Sequence, residues 1–499
     1  MTDMDFKGNS FYLIGIKGTG MSNLAVILSR ARATVSGCDV PTVFPTDAVL
    51  RAEGIEFDEG FGEENLPQSV DYVIYSDAYR PQTCPVLRRA LSCSGAGTVC
   101  SYPEFLAFLS ENTVCYVVAG THGKTTTTAA SSWLLSRGKR AAFPFFSIFG
   151  STVIGEGPVF QGTEELLLEG CEYRDHFLQY RVRGALITSI ELDHPDYFSS
   201  EEAVKGSFRA FAEDICRGGF LILCTDSPNV KALAKWVREN RRDLVLLEYG
   251  FEAKGPFRIR CDRVTGEYRT DLLPYRSFNL DAYSRPLVCD LFGAAFLSAS
   301  ILLDRPNPRL YFEGDEPVGD EIFSTLAGTM LRQLEQFPGV ASRHQIIADE
   351  DGVVYIDDYA HHPTEIEACV GDLRGRFPGR KICLVFCPHT FSRTDALMEQ
   401  FVRALSLADD VVIQKTYASA RNETAGRDNA EDLAVQLEKI ALSRPYGCLE
   451  SAHYFQYDED AAAFAARVLS RGGVCVSLGA GNDRRILDAV RECRRSLEK

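Results

Sequence analysis

A glycine- and threonine-rich segment with a lysine follows an apolar run in this 499-residue chain. The run is Val114–Val118, and the segment is Gly120-Thr121-His122-Gly123-Lys124-Thr125-Thr126. Small residues let backbone N–H groups face phosphate oxygens, and the N-terminal end of a following helix adds positive potential. Lys124 is predicted to neutralise the β and γ oxygens of a nucleoside triphosphate, and Thr125 to offer its hydroxyl to Mg²⁺. The standard pattern has glycine at position 118, where this chain has Val118.

An acidic residue and a histidine follow later apolar runs, where they are placed to hold a divalent cation. Glu169 comes directly after the run Leu166–Leu168, and His194 follows the run Ala185–Ile190. Open α/β sheets bind ligands at the carboxyl ends of their strands, so these side chains are expected beside the phosphates. The predicted metal ligands are Thr125, Glu169 and His194. A solvated acidic loop is the alternative interpretation of the same segments.

A second glycine-rich turn lies near the start of the chain, between the run Phe11–Ile14 and a helical pattern from Met21 to Arg32. Its sequence is Gly15-Ile16-Lys17-Gly18-Thr19-Gly20, and Asp39 ends the next predicted strand. Taken alone, this is a weak dinucleotide fingerprint, with Asp39 about where a dehydrogenase has its ribose-binding acid. A nicotinamide-dependent oxidoreductase is therefore one hypothesis, but it leaves the Gly-Lys-Thr loop without a role.

Apolar runs alternate with helical patterns along the chain, which predicts parallel sheets with helices on their faces. The predicted fold class is α/β with three domains in series. These are a Rossmann-like N-terminal domain (1–108), a central P-loop ATPase domain with a parallel sheet (109–336) and a Rossmann-like C-terminal domain (337–499). Later strands are predicted at Tyr72–Tyr75, Glu165–Leu168, Gly184–Thr188, Phe220–Cys224, Leu244–Leu247, Val353–Ile356, Ile382–Phe386, Val411–Ile413 and Val474–Leu478.

The composition excludes some classes of function. A formal net charge of −16 argues against broad binding to nucleic acid or to an anionic membrane. The first ten residues are polar and acidic, unlike a signal peptide, and no apolar stretch is expected to be long enough to span a membrane. The 16 cysteines are scattered and often lie inside apolar runs, so reduced thiols in a cytoplasmic protein are expected.

Five motifs, in order along the chain, resemble those of the Mur ligases, which build the peptide stem of bacterial peptidoglycan. The glycine turn at 15–20 and the phosphate loop are similar to the family's UDP-binding and ATP-binding loops. The segment Glu191–Tyr197 is similar to its metal motif. Asp357–Glu365 and Pro388–Thr394 look like the member that adds L-alanine to UDP-N-acetylmuramate.

The resemblance implies an ATP-dependent ligase that joins L-alanine to UDP-N-acetylmuramate through an acyl-phosphate, in peptidoglycan precursor synthesis. ATP and Mg²⁺ are the implied cofactors, and the implied partners are these small molecules. We expect neither binding to nucleic acid nor insertion into a membrane. The expected oligomeric state is a monomer or a homodimer. The implied catalytic residues are Lys124, His194, His361 and Arg393.

The resemblance also assigns binding residues. The implied ATP-binding residues are Gly120, Thr121, His122, Gly123, Lys124, Thr125, Thr126, Arg343 and Asp358. The implied UDP-sugar-binding residues are Gly15, Lys17, Gly18, Thr19, Gly20, Asp39 and Ser76. The implied amino-acid-binding residues are Tyr359, His361, His389 and Arg393. Arg393 is expected to pair with the alanine carboxylate, because a planar guanidinium fork matches a carboxylate.

The chain departs from the family pattern at several positions. The stretch Pro286–Ala295 lacks the His-Asn and Asn residues by which the family contacts adenine. Only Arg343 remains of the usual double arginine, Cys171 stands where aspartate is common, and Lys17 replaces a glycine and is expected to contact phosphate. Two alternatives stay open: a recycling ligase that attaches a preformed tripeptide to the same UDP-sugar, and a non-catalytic relative that binds UDP-sugar.

Overall fold

The computed structural model describes most of the chain and divides it into two compact units. The described residues are 6–137, 144–262, 264–282, 284–304, 321–417, 429–443, 448–479 and 484–497. The first unit comprises Met1–Leu192, Ser200–Asp281 and Val288–Pro338, and the second comprises Asp193–Ser199, Ala282–Leu287 and Gly339–Lys499. The exact domain limits given above, at residues 108 and 336, stay predictions.

The first unit begins with strands and helices that alternate along the chain. They are β1 (Ser10–Ile14), α1 (Thr19–Arg30), β2 (Thr34–Asp39), α2 (Pro45–Ala52), β3 (Glu56–Glu59), β4 (Val70–Tyr75), α3 (Pro85–Ser92), β5 (Ala96–Ser101) and α4 (Tyr102–Asn112). The strands form a parallel sheet in the order β3-β2-β1-β4-β5. The strand order reverses between β1 and β4, and the turns that follow these two strands flank the crevice where such sheets bind ligands.

Helix α4 illustrates how local chemistry fixes the start of an element. The Ser101 hydroxyl accepts a hydrogen bond from the Glu104 N–H, and the Glu104 carboxylate accepts one from the Ser101 N–H at 2.7 Å. Pro103 lies in the first turn, where backbone N–H groups have no intrahelical acceptor, so the lack of an N–H in proline breaks no helical hydrogen bond. Phe105 then packs edge-on against Phe11 of β1, which fastens the helix to the sheet.

The rest of the first unit is built on a second sheet. Its elements are β6 (Val114–Ala119), α5 (Lys124–Ser136), β7 (Phe145–Ile148), β8 (Glu165–Glu169), β9 (Val182–Ile187), α6 (Glu201–Asp214), β10 (Phe220–Cys224), α7 (Pro228–Asn240), β11 (Val245–Tyr249), β12 (Ile259–Cys261), β13 (Tyr268–Thr270), α8 (Arg285–Leu303, which belongs to this unit from Val288 onwards) and α9 (Glu321–Leu334). Six parallel strands lie in the order β11-β10-β9-β6-β8-β7, and β12 and β13 form a separate hairpin. Strand β6 is therefore central, which explains its uninterrupted apolar sequence.

Helix α8 corrects one expectation from the sequence. It has 19 residues and is the one helix, among the described residues, that is long and apolar enough to span a membrane. However, 67% of its most apolar window is buried inside the protein. Phe292 and Phe296 are fully buried, and Phe296 packs edge-on against Tyr249 at the end of β11. These contacts are those of a core helix, and burial on all sides explains its apolar composition.

The second unit contains the third sheet. Its elements are β14 (Gln345–Glu350), β15 (Val353–Asp358), α10 (Pro363–Arg376), β16 (Ile382–Phe386), α11 (Phe391–Ala396), α12 (Met398–Leu405), β17 (Asp410–Gln414), α13 (Ala430–Ser443), β18 (Ser451–Phe455), α14 (Asp458–Val468), β19 (Gly473–Leu478) and α15 (Arg484–Leu497). The strand order is β14-β15-β19-β16-β17-β18, and β14 alone among these strands runs antiparallel to its neighbour. The predicted α/β class is confirmed, and all the predicted strands are present.

Candidate active site

The phosphate loop connects the buried end of β6 to the first residue of α5. Gly123 caps this helix with a left-handed backbone (φ +81°), a conformation that L side chains rarely adopt. A Cβ atom at this position would lie 2.3 Å from Asp290 Oδ1 on α8. Glycine is therefore favoured at position 123 by the left-handed turn, and a side chain there would also have to displace the Asp290 carboxylate. The loop residues Gly120 to Thr126 stand where the sequence placed them.

Hydrogen bonds hold the phosphate loop against the segment that follows β9. The Thr121 N–H donates to the Ser189 carbonyl at 3.0 Å, and the His122 N–H donates to the Ser189 hydroxyl at 2.9 Å. The Thr121 hydroxyl donates to the Glu191 carbonyl at 3.1 Å. The loop is thus positioned by a neighbouring strand end, as a preorganised anion site requires.

Lys124 points its ammonium back over the loop. Its Nζ lies 2.9 Å from Glu172 Oε2 and donates to the carbonyls of Gly120 and Thr121. Burial alone would lower the pKa of Lys124, but the carboxylates of Glu172 and Glu169 raise it above its ordinary value. The lysine therefore stays charged in the loop. The sequence analysis did not identify Glu172 as the partner of Lys124. The position of Glu172, three residues after the predicted metal ligand Glu169, could have indicated it.

Thr125 and Glu169 meet beside this lysine. The Thr125 hydroxyl donates to Glu169 Oε1 at 2.8 Å, and the Gly150 N–H donates to Glu169 Oε2 at 2.7 Å. A hydroxyl and a carboxylate are oxygen donors of the kind Mg²⁺ prefers, so these two predicted ligands fit the ion. The third predicted ligand, His194, belongs to the other compact unit.

We expect Glu169→Gln to raise the Mg²⁺ concentration needed for half-maximal activity by about tenfold or more, because an amide lacks the carboxylate's charge. A magnesium titration of nucleotide-dependent turnover measures this. Glu164→Gln is the matched control, since Glu164 is exposed just before β8. An unchanged magnesium requirement in Glu169→Gln would remove this residue from the metal site.

The N-terminal glycine turn lies at the switch point of the first sheet. Gly15 has φ +88°, and a Cβ there would lie 2.7 Å from the Tyr79 ring and 3.0 Å from Ser76 Cβ. Ser76 directly follows β4, so the turn and this predicted site residue are neighbours. Thr19 and Gly20 open helix α1, and Gly18 precedes its first residue. This is the arrangement expected of a pyrophosphate-binding turn.

Lys17 and Asp39 contact each other and nearby groups of the turn. The Lys17 ammonium is buried, 3.2 Å from Asp47 Oδ2, and donates to the Val40 and Thr42 carbonyls. The Asp39 carboxylate accepts the Lys17 N–H at 2.7 Å, and burial raises its pKa although nearby N–H donors oppose the shift. Both side chains hold the turn in place. The expected contact of Lys17 with phosphate gains no support from this geometry and stays a prediction.

In the second unit, four predicted amino-acid-binding residues lie together. The His361 and His389 rings are 5.7 Å apart, Tyr359 stands 5.2 Å from His361, and Arg393 Nη1 lies 3.2 Å from His389 Nδ1. Burial lowers the pKa of His361 to about 4, against the opposing charge of Glu365, so this imidazole is neutral at physiological pH. Arg393 therefore contributes a permanent positive charge next to His389, and the nearby His361 adds none.

Asp193 engages Arg393 in a way the sequence did not reveal. Arg393 Nε donates to Asp193 Oδ1 at 3.1 Å and Nη2 to Oδ2 at 3.4 Å, with both side chains buried. Burial alone would raise the pKa of Asp193, but His194 and Arg393 hold it well below its usual range. One edge of the guanidinium fork is thus taken by Asp193. A substrate carboxylate at Arg393 must use the Nη1 side, towards His389, or displace Asp193.

The same aspartate shapes the backbone of His194. The His194 N–H donates to Asp193 Oδ1 at 2.6 Å, and His194 has a left-handed backbone with φ +53°. A non-glycine residue in this region is strained, and such strain is retained where the surroundings enforce it. Asp193 therefore positions both the predicted metal ligand His194 and the predicted substrate-binding Arg393.

Arg343 and Asp358, the remaining predicted nucleotide residues, also lie in the second unit. Arg343 Nη1 is 3.5 Å from Glu365, and its guanidinium stands 4.9 Å above the Tyr359 ring. Asp358 ends β15 and accepts N–H groups of His344 and Ala360, each at 2.7 Å. These contacts fix both side chains; their predicted role towards ATP stays a prediction.

The chain matches three family models along its length. Residues 10–111 match the Mur ligase family, catalytic domain; residues 118–280 match the Mur ligase middle domain; and residues 342–481 match the Mur ligase, glutamate ligase domain. Over 487 residues the chain is 33% identical to UDP-N-acetylmuramate–L-alanine ligase of Treponema pallidum, covering 96% of this chain and 95% of the relative. The chain belongs to the Mur ligase family. It is therefore an enzyme, an ATP-dependent ligase with three Mur ligase domains in series.

Other Mur ligases agree in extent and fold. The ligase of the same description from Borreliella burgdorferi is 29% identical over 482 residues, which is 95% of this chain and 97% of the relative. A crystal structure of UDP-N-acetylmuramate-alanine ligase from Thermotoga maritima superimposes with a TM-score of 0.70 at 20% identity, covering 98% of this chain and all of that one. A murein peptide ligase from Psychrobacter arcticus gives 0.65 at 18% identity, with 98% and 99% coverage. These Mur ligases share the whole fold.

Proposed function

We propose that this protein ligates L-alanine to UDP-N-acetylmuramate, with ATP as the energy source and an acyl-phosphate as the intermediate. The observation that carries the proposal is a charged Lys124 in a glycine loop at the start of α5, in a chain similar from end to end to ligases of that name. The product is a peptidoglycan precursor. Nothing in this chemistry requires nucleic acid or a membrane, and a cytoplasmic monomer or homodimer suffices.

The first unit supplies the activation step. A carboxylate oxygen of the sugar substrate attacks the γ-phosphorus of ATP, and ADP leaves with the pair of electrons of the broken bond. Lys124 and the N-terminal N–H groups of α5 stabilise the negative charge on the transferring group, which is the main contribution a protein makes to phosphoryl transfer. Thr125 and Glu169 would hold Mg²⁺, which supplies further charge neutralisation when bound.

The second unit supplies the binding site for the amino acid. Arg393 binds the L-alanine carboxylate through its Nη1 side, and the rings of Tyr359, His361 and His389 enclose the small side chain. Because burial lowers the pKa of His361 to about 4, it adds no competing cation to this pocket. The free amine then attacks the acyl carbon and loses a proton to solvent, and the tetrahedral intermediate expels phosphate to leave an amide.

The glycine turn at Gly15 is proposed to bind the pyrophosphate of the UDP-sugar. The turn and the N-terminus of α1 place backbone N–H groups at one crevice, and Ser76 borders it. The oxyanions of a pyrophosphate suit such a site better than a neutral ligand does.

A phosphate-release assay with Mg²⁺ and ATP tests this proposal. We expect release that requires both UDP-N-acetylmuramate and one amino acid, with kcat/KM highest for L-alanine in a panel of L-alanine, glycine, L-serine and the stem tripeptide. A preference for the tripeptide would establish the recycling ligase instead. Tight UDP-sugar binding without phosphate release, under any combination of substrates, would establish a non-catalytic relative.

A further inference from the structure

Three side chains with metal-binding atoms meet in the second unit, and none of them belongs to the phosphate loop. They are His344 from the segment before β14, Asp358 from the end of β15 and Cys369 from α10. Their ligand atoms all lie within 4.8 Å of one another, and His344 Nδ1 is 3.7 Å from Asp358 Oδ2. An imidazole, a carboxylate and a thiol from three separate elements form the ligand set that Zn²⁺ selects.

One nitrogen of the His344 imidazole, Nε2, has no hydrogen-bond partner among the described residues. This atom is buried. Buried polar atoms without partners are uncommon in folded proteins, and each calls for an explanation. A metal ion that accepts the lone pair of Nε2 supplies one.

The backbone around His344 is strained so that the ring is held beside Asp358. His344 has φ +47° and Ser342 has φ +54°, both in the left-handed region that disfavours side chains. The strain is offset by the His344 N–H bond to Asp358 Oδ2 at 2.7 Å and by the Ser342 hydroxyl bond to Asp357 at 2.7 Å. Backbone strain of this kind is typical of ligand sites.

The charge around the cluster favours a cation. Cys369 and Asp358 are 1% and 4% exposed, and the Asp372 and Glu365 carboxylates add negative potential at the thiol. The Asp358 carboxylate is oriented by two backbone N–H donors, from His344 and Ala360, as the outer shell of a metal site orients its ligands. Arg343 pairs with Glu365 and so offsets one of these charges.

We propose that His344, Asp358 and Cys369 bind one Zn²⁺ ion or a similarly thiophilic divalent cation. On binding, the Cys369 thiol releases its proton to solvent and bonds to the metal as a thiolate. Three protein ligands leave a fourth position for water or a substrate group. The site is distinct in chemistry from a magnesium site, because Mg²⁺ takes oxygen ligands and rejects thiolate. The proposal does not depend on the ligase activity proposed above.

Cobalt titration of the reduced, full-length protein tests this site. Co²⁺ replaces Zn²⁺ in such sites, and its bond to a thiolate produces a charge-transfer absorption band in the near ultraviolet that other ligands do not give. We expect the band to grow to one Co²⁺ per chain and to disappear when one equivalent of Zn²⁺ is added. Cys369→Ser should lose the band, and His344→Gln should shift its titration to higher Co²⁺ concentration.

Controls separate this site from other thiols and from misfolding. Cys383→Ser removes a cysteine of β16 that is equally buried in the same unit, and it should leave the band intact. His344 is only partly buried, so His344→Gln is expected to fold even if Cys369→Ser does not. A wild-type protein without the band, or a band that survives in both Cys369→Ser and His344→Gln, would overturn the proposal.

Discussion

Turnover falls by roughly 10²–10³-fold or more when Lys124 is replaced by methionine, because the transferring phosphoryl group loses its one loop-held cation. The methionine keeps the length and apolar stem of the side chain. It leaves Glu172 and Glu169 as neighbouring carboxylates whose charge then repels the triphosphate. Both effects act on the γ-phosphate, so we expect kcat to fall far more than the affinity for UDP-sugar. Steady-state phosphate release and calorimetric UDP-sugar binding measure the two quantities.

Lys205→Met is the matched control for this variant. Lys205 lies on α6 of the same unit, where it pairs with Glu201 and Glu202 at the surface. Exposed pairs of this kind contribute little to stability, so activity should stay at the wild-type level. Retention of more than a tenth of the activity by Lys124→Met would show that this lysine does not hold the transferring phosphate.

Substitution of Arg393 by alanine is expected to raise the KM for L-alanine by about 10–100-fold, since a hydrogen bond to a charged group is worth roughly 1.5–3 kcal/mol. The KM for ATP should change little. The cause is the loss of the guanidinium that lies beside His389 in the His361–His389 pair. Arg403→Ala, on the exposed side of α12, is the control.

Asp193→Asn separates substrate binding from positioning. This substitution keeps the shape of the side chain but removes the negative charge that pairs with Arg393. It also weakens the oxygen that accepts the His194 N–H. We expect both the KM for L-alanine and the magnesium requirement to rise in this variant, whereas Arg393→Ala should affect L-alanine alone. Equal effects of the two substitutions on magnesium would contradict this division of roles.

The sequence predicted the elements whose residues face apolar surroundings on both sides. Strands β6, β9, β16 and β19 are central in their sheets, and their unbroken apolar runs identified them. Strand β3, with the sequence Glu-Phe-Asp-Glu, is an exposed edge strand and was missed, because its alternating acidic residues carry no such signal. Strand β14 was missed as well, although the Asp351-Gly352 turn that follows it is typical of a hairpin.

The positions of candidate site residues follow from the sequence where a motif is local, whereas contacts that join distant segments do not. The loop from Gly120 to Thr125 and its relation to Glu169 follow from strand–loop–helix order. The Asp193–Arg393 pair joins residues 200 positions apart, so spacing along the chain carries no trace of it. The pairing of Lys17 with Asp47 is another contact that no local motif reveals, and the role of Lys17 towards phosphate stays a prediction.

The fate of one substrate oxygen tests the acyl-phosphate route most directly. UDP-N-acetylmuramate is prepared with a heavy-oxygen label in its lactyl carboxylate and turned over with ATP and L-alanine. If the carboxylate attacks the γ-phosphate at Lys124, one labelled oxygen must appear in each released phosphate, as mass spectrometry would detect. Unlabelled phosphate, released while the labelled amide product accumulates, would contradict activation by phosphorylation.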